Sequence, residues 1–358
     1  MSTILIKDAL RASVEAASGG SQTVLYTAKG QPTFMNIIKK FDVADVITGL
    51  AGTHPAFVIN GVEKSEIFIG TYEGTIRNGE LLSLPNSAPS VATYNAYFAA
   101  AIANGTGHHM MTNAEWAALA VRSWKNGTMP MGNGYYGRAS EDATQYGRRV
   151  DGLDATLGTT TGDARILSGT GPVSFRHNGK YNGISDLAGN VKDMLQGVRL
   201  VYGELQIIPN NDSAAVLTNA AEASLWKAID ARTGDLISPN GTGTTPYAVR
   251  FSNDPNNTEA YTLIMTGSHI YNKQASSSFP VSNAALNLLR KLALWLPQDG
   301  MLSAMGSSSV SISSAETIIS RGGHFSEGLN VNIYSLRLGD NKTQVANVLG
   351  SRPAYYKP

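Results

Sequence analysis

The chain of 358 residues contains no cysteine. That absence excludes disulfide frameworks, thiolate metal sites and cysteine nucleophiles. It suits assembly in a reducing cytoplasm, followed by release if the protein acts outside a cell. Charge is also scarce: charged residues make up 15% of the chain and the formal net charge is +1. No basic field is therefore available to hold a nucleic acid.

Long hydrophobic runs are missing as well. No stretch approaches the roughly 18 consecutive apolar residues that a membrane span requires, so we expect no membrane insertion. The N-terminal segment carries Lys7, Asp8 and Arg11 where a signal peptide would have its apolar core. We therefore expect no secretory leader in this segment.

Glycine is abundant instead, with 37 residues, and serine, threonine and asparagine are plentiful. This composition favours short strands, many turns and long polar loops, and predicts an α+β fold. Residues 1–50 predict a small N-terminal unit, with a helix over 4–17 and a hairpin over 23–41. Residues 51–358 predict the main domain. Its polar segment 209–280 is long enough to be either functional or to contain small strands of its own.

Several local signals place elements in the main domain. Asn60-Gly61 predicts a hairpin turn, and Tyr202-Gly203 predicts a second one. Thr112 and Glu115 have the spacing of a helix capping box. Further helices are predicted at residues 88–105, beginning near Pro89 and Ser90, and at 282–296, whereas 128–180 reads as loop.

Residues that could carry chemistry form no recognisable catalytic pattern. His108 and His109 are adjacent on a predicted strand, where they would point to opposite faces, so they predict a structural strand and not a metal site. Asp151 and Asp154 lack the pattern of a calcium-binding loop, which leaves calcium a weak alternative. No nucleophile elbow, phosphate loop or dinucleotide motif is present. The residues alone predict a binding or structural protein without a cofactor, not an enzyme.

Four segments, in order, resemble the formylglycine-generating-enzyme-like family. They are PAFVINGVEKSEIFIGTY, HHMMTNAEWAALA, GISDLAGNVKDML and SRGGHFSEG followed by LGSRPAY, and they span about residues 55–354. The resemblance implies a C-type-lectin fold. The chain also departs from the family pattern. Lys192-Asp193-Met194 stands where the family has Trp-Glu-Trp, Phe325 replaces a Trp, and Ser351 replaces a Phe. The oxidase branch needs cysteines, so its activity is not implied here.

Within that fold, the GSRPAY ending and the segment NGTMPMGNGYYGR are most similar to phage tail receptor-binding proteins. These include the variable proteins of diversity-generating retroelements. The resemblance implies a virion protein made in the host cytoplasm, which binds a glycan or protein receptor at the host cell surface and forms a homotrimer. Residues 1–50 would contact other tail or baseplate proteins. A structural virion component, such as a capsid decoration or baseplate protein, is the alternative.

The family motif around residues 183–195 is expected to be scaffold. We predict that Gly189 and Asn190 form a turn with positive φ, and that Asp186 and Asn190 hydrogen-bond local backbone amides. The resemblance implies a wider set of fixed scaffold positions, which are Thr112, Glu115, Trp116, Asp186, Gly189, Asn190, Arg321, Gly322, Gly323, Gly350 and Arg352.

The resemblance also implies a ligand face within about residues 321–352, where variable side chains stand on a rigid sheet. Loops on a rigid scaffold are common places for recognition, although the same residues could simply be ordinary solvent-facing side chains. The expected receptor-binding residues are His324, Phe325, Glu327, Asn330, Asn332, Tyr334, Arg337, Asp340, Asn341, Lys342 and Gln344.

Overall fold

The computed structural model describes residues 8–265, 273–298, 308–312 and 314–358, and has the predicted α+β architecture. The α-helices of these residues are α1 (Ala9–Ser18), α2 (Tyr94–Ala103), α3 (Asn113–Lys125), α4 (Asn219–Ala223) and α5 (Asn283–Lys291). Short 3₁₀ turns lie at Val43–Asp45, Pro55–Phe57, Val173–Phe175, Asp212–Ala215 and Gly328–Asn330. None of the described helices is long and apolar enough to cross a bilayer.

The strands are short, as the glycine and asparagine content predicts. They are β1 (Gln22–Tyr26), β2 (Pro32–Lys39), β3 (Val58–Ile59), β4 (Val62–Glu63), β5 (Glu66–Gly70), β6 (Gly74–Arg77), β7 (Glu80–Ser83), β8 (His108–Met110), β9 (Lys192–Val201), β10 (Glu204–Ile207), β11 (Lys227–Ile229), β12 (Leu236–Ile237), β13 (Arg250–Ser252), β14 (Thr262–Ile264), β15 (Lys273–Gln274), β16 (Ser308–Val310), β17 (Thr317–Gly322), β18 (Asn332–Asp340), β19 (Leu349–Gly350) and β20 (Pro353–Tyr355).

The first sheet joins the two ends of the described chain. Its strand order is β1-β2-β5-β20-β8, and all its pairs are antiparallel. The predicted N-terminal hairpin is present as β1 and β2, and its second strand pairs with β5 from Met35↔Gly70 to Lys39↔Glu66. The hairpin thus buries its inner face by extending this sheet. Position 50 is therefore not a boundary between separate structural units.

The second sheet carries most of the remaining strands. Its main path is β15-β14-β13-β10-β9-β17-β18-β16, with β11 and β12 attached beside β10 and β19 beside β9. The predicted hairpin at Tyr202 is the β9–β10 turn. The polar segment 209–280 is expected either to be functional or to contain small strands. Its described residues do contain small strands, β11 to β15, which extend this sheet. Residues 266–272 of that segment lie outside the described residues.

The largest core cluster lies between the inner side of the second sheet and helices α3 and α5. Trp116 of α3 and Leu289 of α5 pack there with Ile319, Leu336 and Leu338 of the sheet. The Trp116 indole Nε1 donates a hydrogen bond to the Ile333 carbonyl at 2.7 Å, so its polar atom is satisfied within the core.

Hydrogen bonds to capping side chains determine where the helices begin. The Thr112 hydroxyl accepts from the Glu115 amide at 3.2 Å and the Glu115 carboxylate accepts from the Thr112 amide at 3.0 Å, which confirms the predicted capping box. Helix α2 begins at Tyr94, and not near Ser90, because the Thr93 hydroxyl accepts from the Ala96 amide.

We expect Thr112→Ala to lower the free energy of unfolding by about 2–4 kcal/mol. The variant loses a helix cap and also the buried hydroxyl that donates to the Asn211 Oδ1 at 2.6 Å. Thr93→Ala is the matched control, because it removes a cap with an exposed hydrogen bond and should cost about 1 kcal/mol. Urea denaturation measures both. Equal decreases in the free energy of unfolding of the two variants would show that the buried Thr112–Asn211 hydrogen bond does not stabilise the fold.

Candidate functional site

The turn of the family motif has the predicted backbone. Asp186, Gly189 and Asn190 all have positive φ, at 58°, 71° and 61°. A Cβ on Gly189 would lie 2.3 Å from the Asn133 carbonyl oxygen, so only glycine fits there.

The partners of the motif's polar side chains differ from the prediction. Asp186 accepts from the Gly169 amide at 2.8 Å and Asn190 accepts from the Ile166 amide at 2.7 Å. These amides are 17 and 24 residues away, and not local. The two side chains therefore tie the loop region to the sheet, a long-range role that local turn chemistry could not reveal.

Beneath this turn lies a buried charge cluster formed by Glu73, Asp186, Asp193 and Arg352. The Arg352 Nε donates to the Asp193 Oδ2 at 2.7 Å, and its two other nitrogens donate to the carbonyls of Gly70, Ser185 and Asp186 at 3.2 Å. Burial, together with the charges of Asp186 and Asp193, raises the pKa of Glu73 well above its usual value. Sequence analysis found Arg352 and Asp186 as scaffold but missed Glu73, which no motif marks.

The remaining predicted scaffold residues are also buried. Arg321 is fully buried and donates to the Asn113 side chain and to the carbonyls of Tyr334, Leu292 and Ala293. It thereby joins β18 to the start of α3 and the end of α5. Gly322 and Gly323 have positive φ and close neighbours, and a Cβ on Gly350 would lie 2.4 Å from the Val191 side chain, so glycine fits at all three positions.

Three predicted receptor-binding residues are instead part of the interior. Tyr334 and Asp340 are 0% exposed and Phe325 is 7% exposed. Tyr334 lies on the inward side of β18 with Leu336, because side chains alternate along a strand. Asp340 is buried because it accepts from the Ser320 hydroxyl at 2.7 Å and from the Arg337 Nε at 2.9 Å. Their assignment as receptor contacts was wrong.

The opposite side of the same strands carries polar side chains. Register places Ser309, Ser320 and Arg337 in one row across β16, β17 and β18. Lys192 of β9 and Ser335 of β18 line the same shallow cleft. We call these five residues the outer face: Ser309 and Arg337 are half-buried at its surface, and Lys192, Ser320 and Ser335 are buried beneath them. The Arg337 side chain is 41% exposed.

An aromatic and charged rim borders the outer face. The His324 Nε2 lies 3.1 Å from a Glu327 carboxylate oxygen, and both residues are half-buried. Phe325 packs edge-on against the half-buried Tyr136, with ring centroids 5.8 Å apart. Leu329 is 67% exposed beside them. His324 and Glu327 are thus partly accessible at the rim, and the buried Phe325 packs beneath it.

The other predicted residues lie further along the chain or at the edge. The Asn332 Oδ1 accepts a hydrogen bond from the Tyr334 amide at 2.9 Å, within β18. Lys342 turns away from the outer face to Glu222 and Glu316, at 3.2 and 3.3 Å. The remaining positions, Asn330, Asn341 and Gln344, are half-buried or exposed, and the Asn330 carbonyl accepts from the Ser335 hydroxyl of the outer face at 2.6 Å.

Six residues of this region were not predicted from the sequence, namely Lys192, Ser309, Ser320, Ser335, Tyr135 and Tyr136. Tyr136 is the most informative, because its φ of 49° is unfavourable for an aromatic residue. Its amide donates to the Phe325 carbonyl at 2.7 Å, which holds the strained residue against the rim. The glycines on either side of the Tyr135-Tyr136 pair were the only available signal.

Among the described residues, no group of three or more His, Asp or Glu side chains is arranged to hold a metal ion. Asp151, one of the two calcium candidates, instead accepts from the Arg149 guanidinium at 2.6 and 3.0 Å. No known protein-family model matches the chain, and no curated protein matches it in sequence.

Glu73 in the buried charge cluster contributes stability that falls as pH rises above its unfolded pKa of about 4.5, whereas three buried histidines with lowered pKa, His54, His108 and His177, contribute stability that rises with pH up to about 6.5. Because the folded-state pKa of Glu73 is raised, the folded protein holds a proton that the unfolded chain has released above about pH 4.5. Stability present below the unfolded pKa is then lost by about 1.4 kcal/mol per pH unit for one such proton. Glu73→Gln carries no titrating proton and keeps the histidine contributions, so its melting temperature relative to wild type should rise steadily as pH increases from 5.

Glu63→Gln is the control for this measurement. The Lys40 hydrogen bond to Glu63 lowers the pKa of that half-exposed carboxyl, so it titrates below pH 5. The control should therefore keep the wild-type pH slope. A Glu73→Gln slope equal to that of wild type would show that Glu73 is ionised in the folded protein.

Proposed function

We propose that this protein is a phage tail adhesin with a C-type-lectin fold, which binds a host cell-surface receptor through the outer face and its rim and catalyses no reaction. The observation that carries the proposal is the row formed by Ser309, Ser320 and Arg337 on strands whose opposite side is fully packed. The resemblance of four ordered sequence segments to lectin-fold proteins supports the same reading.

The proposed binding surface is already ordered before a ligand binds. Strands β16, β17 and β18 are backed by the largest core cluster, and Arg337 is held in place by its hydrogen bond to the buried Asp340. A rigid platform also loses little conformational entropy when a ligand binds. Tyr135, Tyr136 and Arg337 belong to the residue types that dominate binding energy at recognition surfaces.

Attachment to the virion would use another part of the molecule. The β1–β2 hairpin forms one edge of the first sheet, whereas the outer face belongs to the second sheet. Contacts with other tail proteins, or trimer contacts made by residues 1–50, would therefore leave the outer face accessible. Trimerisation would raise the avidity of a weak single site.

The double variant Arg337→Ala/Tyr136→Gly tests the proposed face. It removes one charged and one aromatic contact, and glycine suits the positive φ at position 136. We expect fluorescently labelled wild-type protein to bind at least one strain in a panel of bacteria, measured by flow cytometry. The variant should lose at least about tenfold in binding, as expected for two anchor residues; because Arg337 also pairs with the buried Asp340, its melting temperature should fall, so binding is compared at a temperature where both proteins are folded.

The matched control is Arg77→Ala/Tyr181→Gly, which changes the same residue types at exposed positions beside the first sheet. The control should bind like wild type. Equal binding by the Arg337→Ala/Tyr136→Gly variant would refute the assigned face. Absence of binding to every strain, together with fragile particles when the protein is omitted, would instead favour the structural virion role.

A further inference from the structure

Lys192 is an unusual member of the outer face. The residue is only 6% exposed, and its ammonium nitrogen, which makes no hydrogen bond or ion pair with the described residues, is not fully shielded from solvent and lines the cleft. Burial lowers the pKa of this group, and the nearby Asp340 and Glu327 carboxylates partly oppose that effect. A buried cation is normally paired, because an unpaired one is costly to desolvate.

The two carboxylates nearest to Lys192 already have partners. Asp340 accepts from the Ser320 hydroxyl and the Arg337 guanidinium, at 2.7 and 2.9 Å. Glu327 lies 3.1 Å from the His324 ring and accepts from the His324 amide at 3.2 Å. The Lys192 ammonium group therefore keeps N–H donors that are not hydrogen-bonded to Asp340 or Glu327.

The cleft in front of Lys192 is small and rich in hydroxyl groups. It has room for one water-sized group, about 10 Å³, and is lined by Ser309, Ser320 and Ser335. Ser320 and Ser335 donate their protons to Asp340 and to the Asn330 carbonyl, so among the three serines it is the Ser309 hydroxyl that can donate to a ligand anion beside Lys192. Only the tip of a ligand can enter, while the rest must lie on the rim.

The local charges favour a singly charged ligand group. Lys192 and Arg337 contribute two positive charges, and Asp340 and Glu327 contribute two negative ones, so the four groups sum to zero. A doubly charged phosphate would be repelled by the two carboxylates, whereas a carboxylate gains a charge-assisted hydrogen bond to Lys192. The serine oxygens and the neighbouring tyrosine rings suit the hydroxyl groups and ring face of a sugar.

Resting on the proposed recognition role of the outer face, we propose that Lys192 anchors the carboxylate of an acidic sugar, such as a hexuronate unit of a bacterial surface polysaccharide. One carboxylate oxygen enters the cleft and accepts from the Lys192 Nζ. The sugar hydroxyls contact Ser309 and Arg337, and the ring lies towards Tyr136.

Nuclear magnetic resonance titration of the full chain with glucuronate tests this subsite. Amide signals of Lys192, Ser320 and Arg337 should shift with glucuronate but not with glucose, which has the same ring without the charge. Lys192→Met keeps the length of the side chain and removes its charge, so the dissociation constant should rise by at least about tenfold. Lys192→Arg should retain part of the binding.

Lys39→Met is the control, because Lys39 is an exposed, ion-paired lysine of the first sheet. It should bind glucuronate like wild type. Equal binding of glucuronate by Lys192→Met, or equal shifts with glucose, would overturn the subsite. N-acetylglutamate shifting the same signals more strongly than glucuronate would overturn the sugar assignment and favour a protein carboxylate.

The glucuronate titration and the cell-binding experiment can fail independently of each other. Loss of glucuronate binding by Lys192→Met without loss of cell binding would leave the adhesin role intact. Glucuronate binding by a protein that labels no bacterial strain would leave the subsite intact and refute the adhesin role.

Discussion

The fold depends on one buried arginine. Arg352 pairs with Asp193 at the start of β9, and its remaining donors reach carbonyls of β5 and of the turn before β9. The C-terminal segment is thereby fixed to both sheets at a point where no water can replace its partners. Removal of one member of such a pair leaves an uncompensated buried charge, which typically costs about 3–5 kcal/mol.

Arg352 also explains how three carboxylates are tolerated in one buried place. Glu73, Asp186 and Asp193 are each fully or almost fully buried, and burial raises the pKa of all three. A proton held on Glu73 reduces the repulsion that a single arginine cannot cancel. A second buried arginine, Arg321, holds β17 and β18 against α3 by hydrogen bonds to neutral groups. Together the two arginines make the sheet behind the outer face rigid.

Local signals predicted much of the fold because they act over a few residues. The capping box at Thr112, the hairpin turn at Tyr202 and the positive φ of Asn190 all depend on neighbouring chain atoms. Pairings that join distant segments could not be predicted from such signals. The β2–β5 pairing merges the expected N-terminal unit with the rest of the chain.

The candidate site was predicted less well than the fold, for a related reason. The expected ligand face of about residues 321–352 contains both buried and partly exposed polar side chains, because the face on which each side chain lies depends on strand register. In the folded protein Tyr334 and Asp340 are therefore buried, whereas the Arg337 side chain is 41% exposed. Lys192 and Tyr136 come from distant parts of the sequence, and only the folded chain brings them to the same cleft and rim.

The central claim is that the outer face and its rim are the surface that meets the host. Hydroxyl-radical footprinting of the protein bound to envelope fragments of a strain that it labels measures this most directly. The account predicts reduced oxidation at Tyr136, His324 and Leu329, with Tyr26 and Tyr181 beside the first sheet unchanged. Protection of Tyr26 and Tyr181 with no protection at the rim would contradict it.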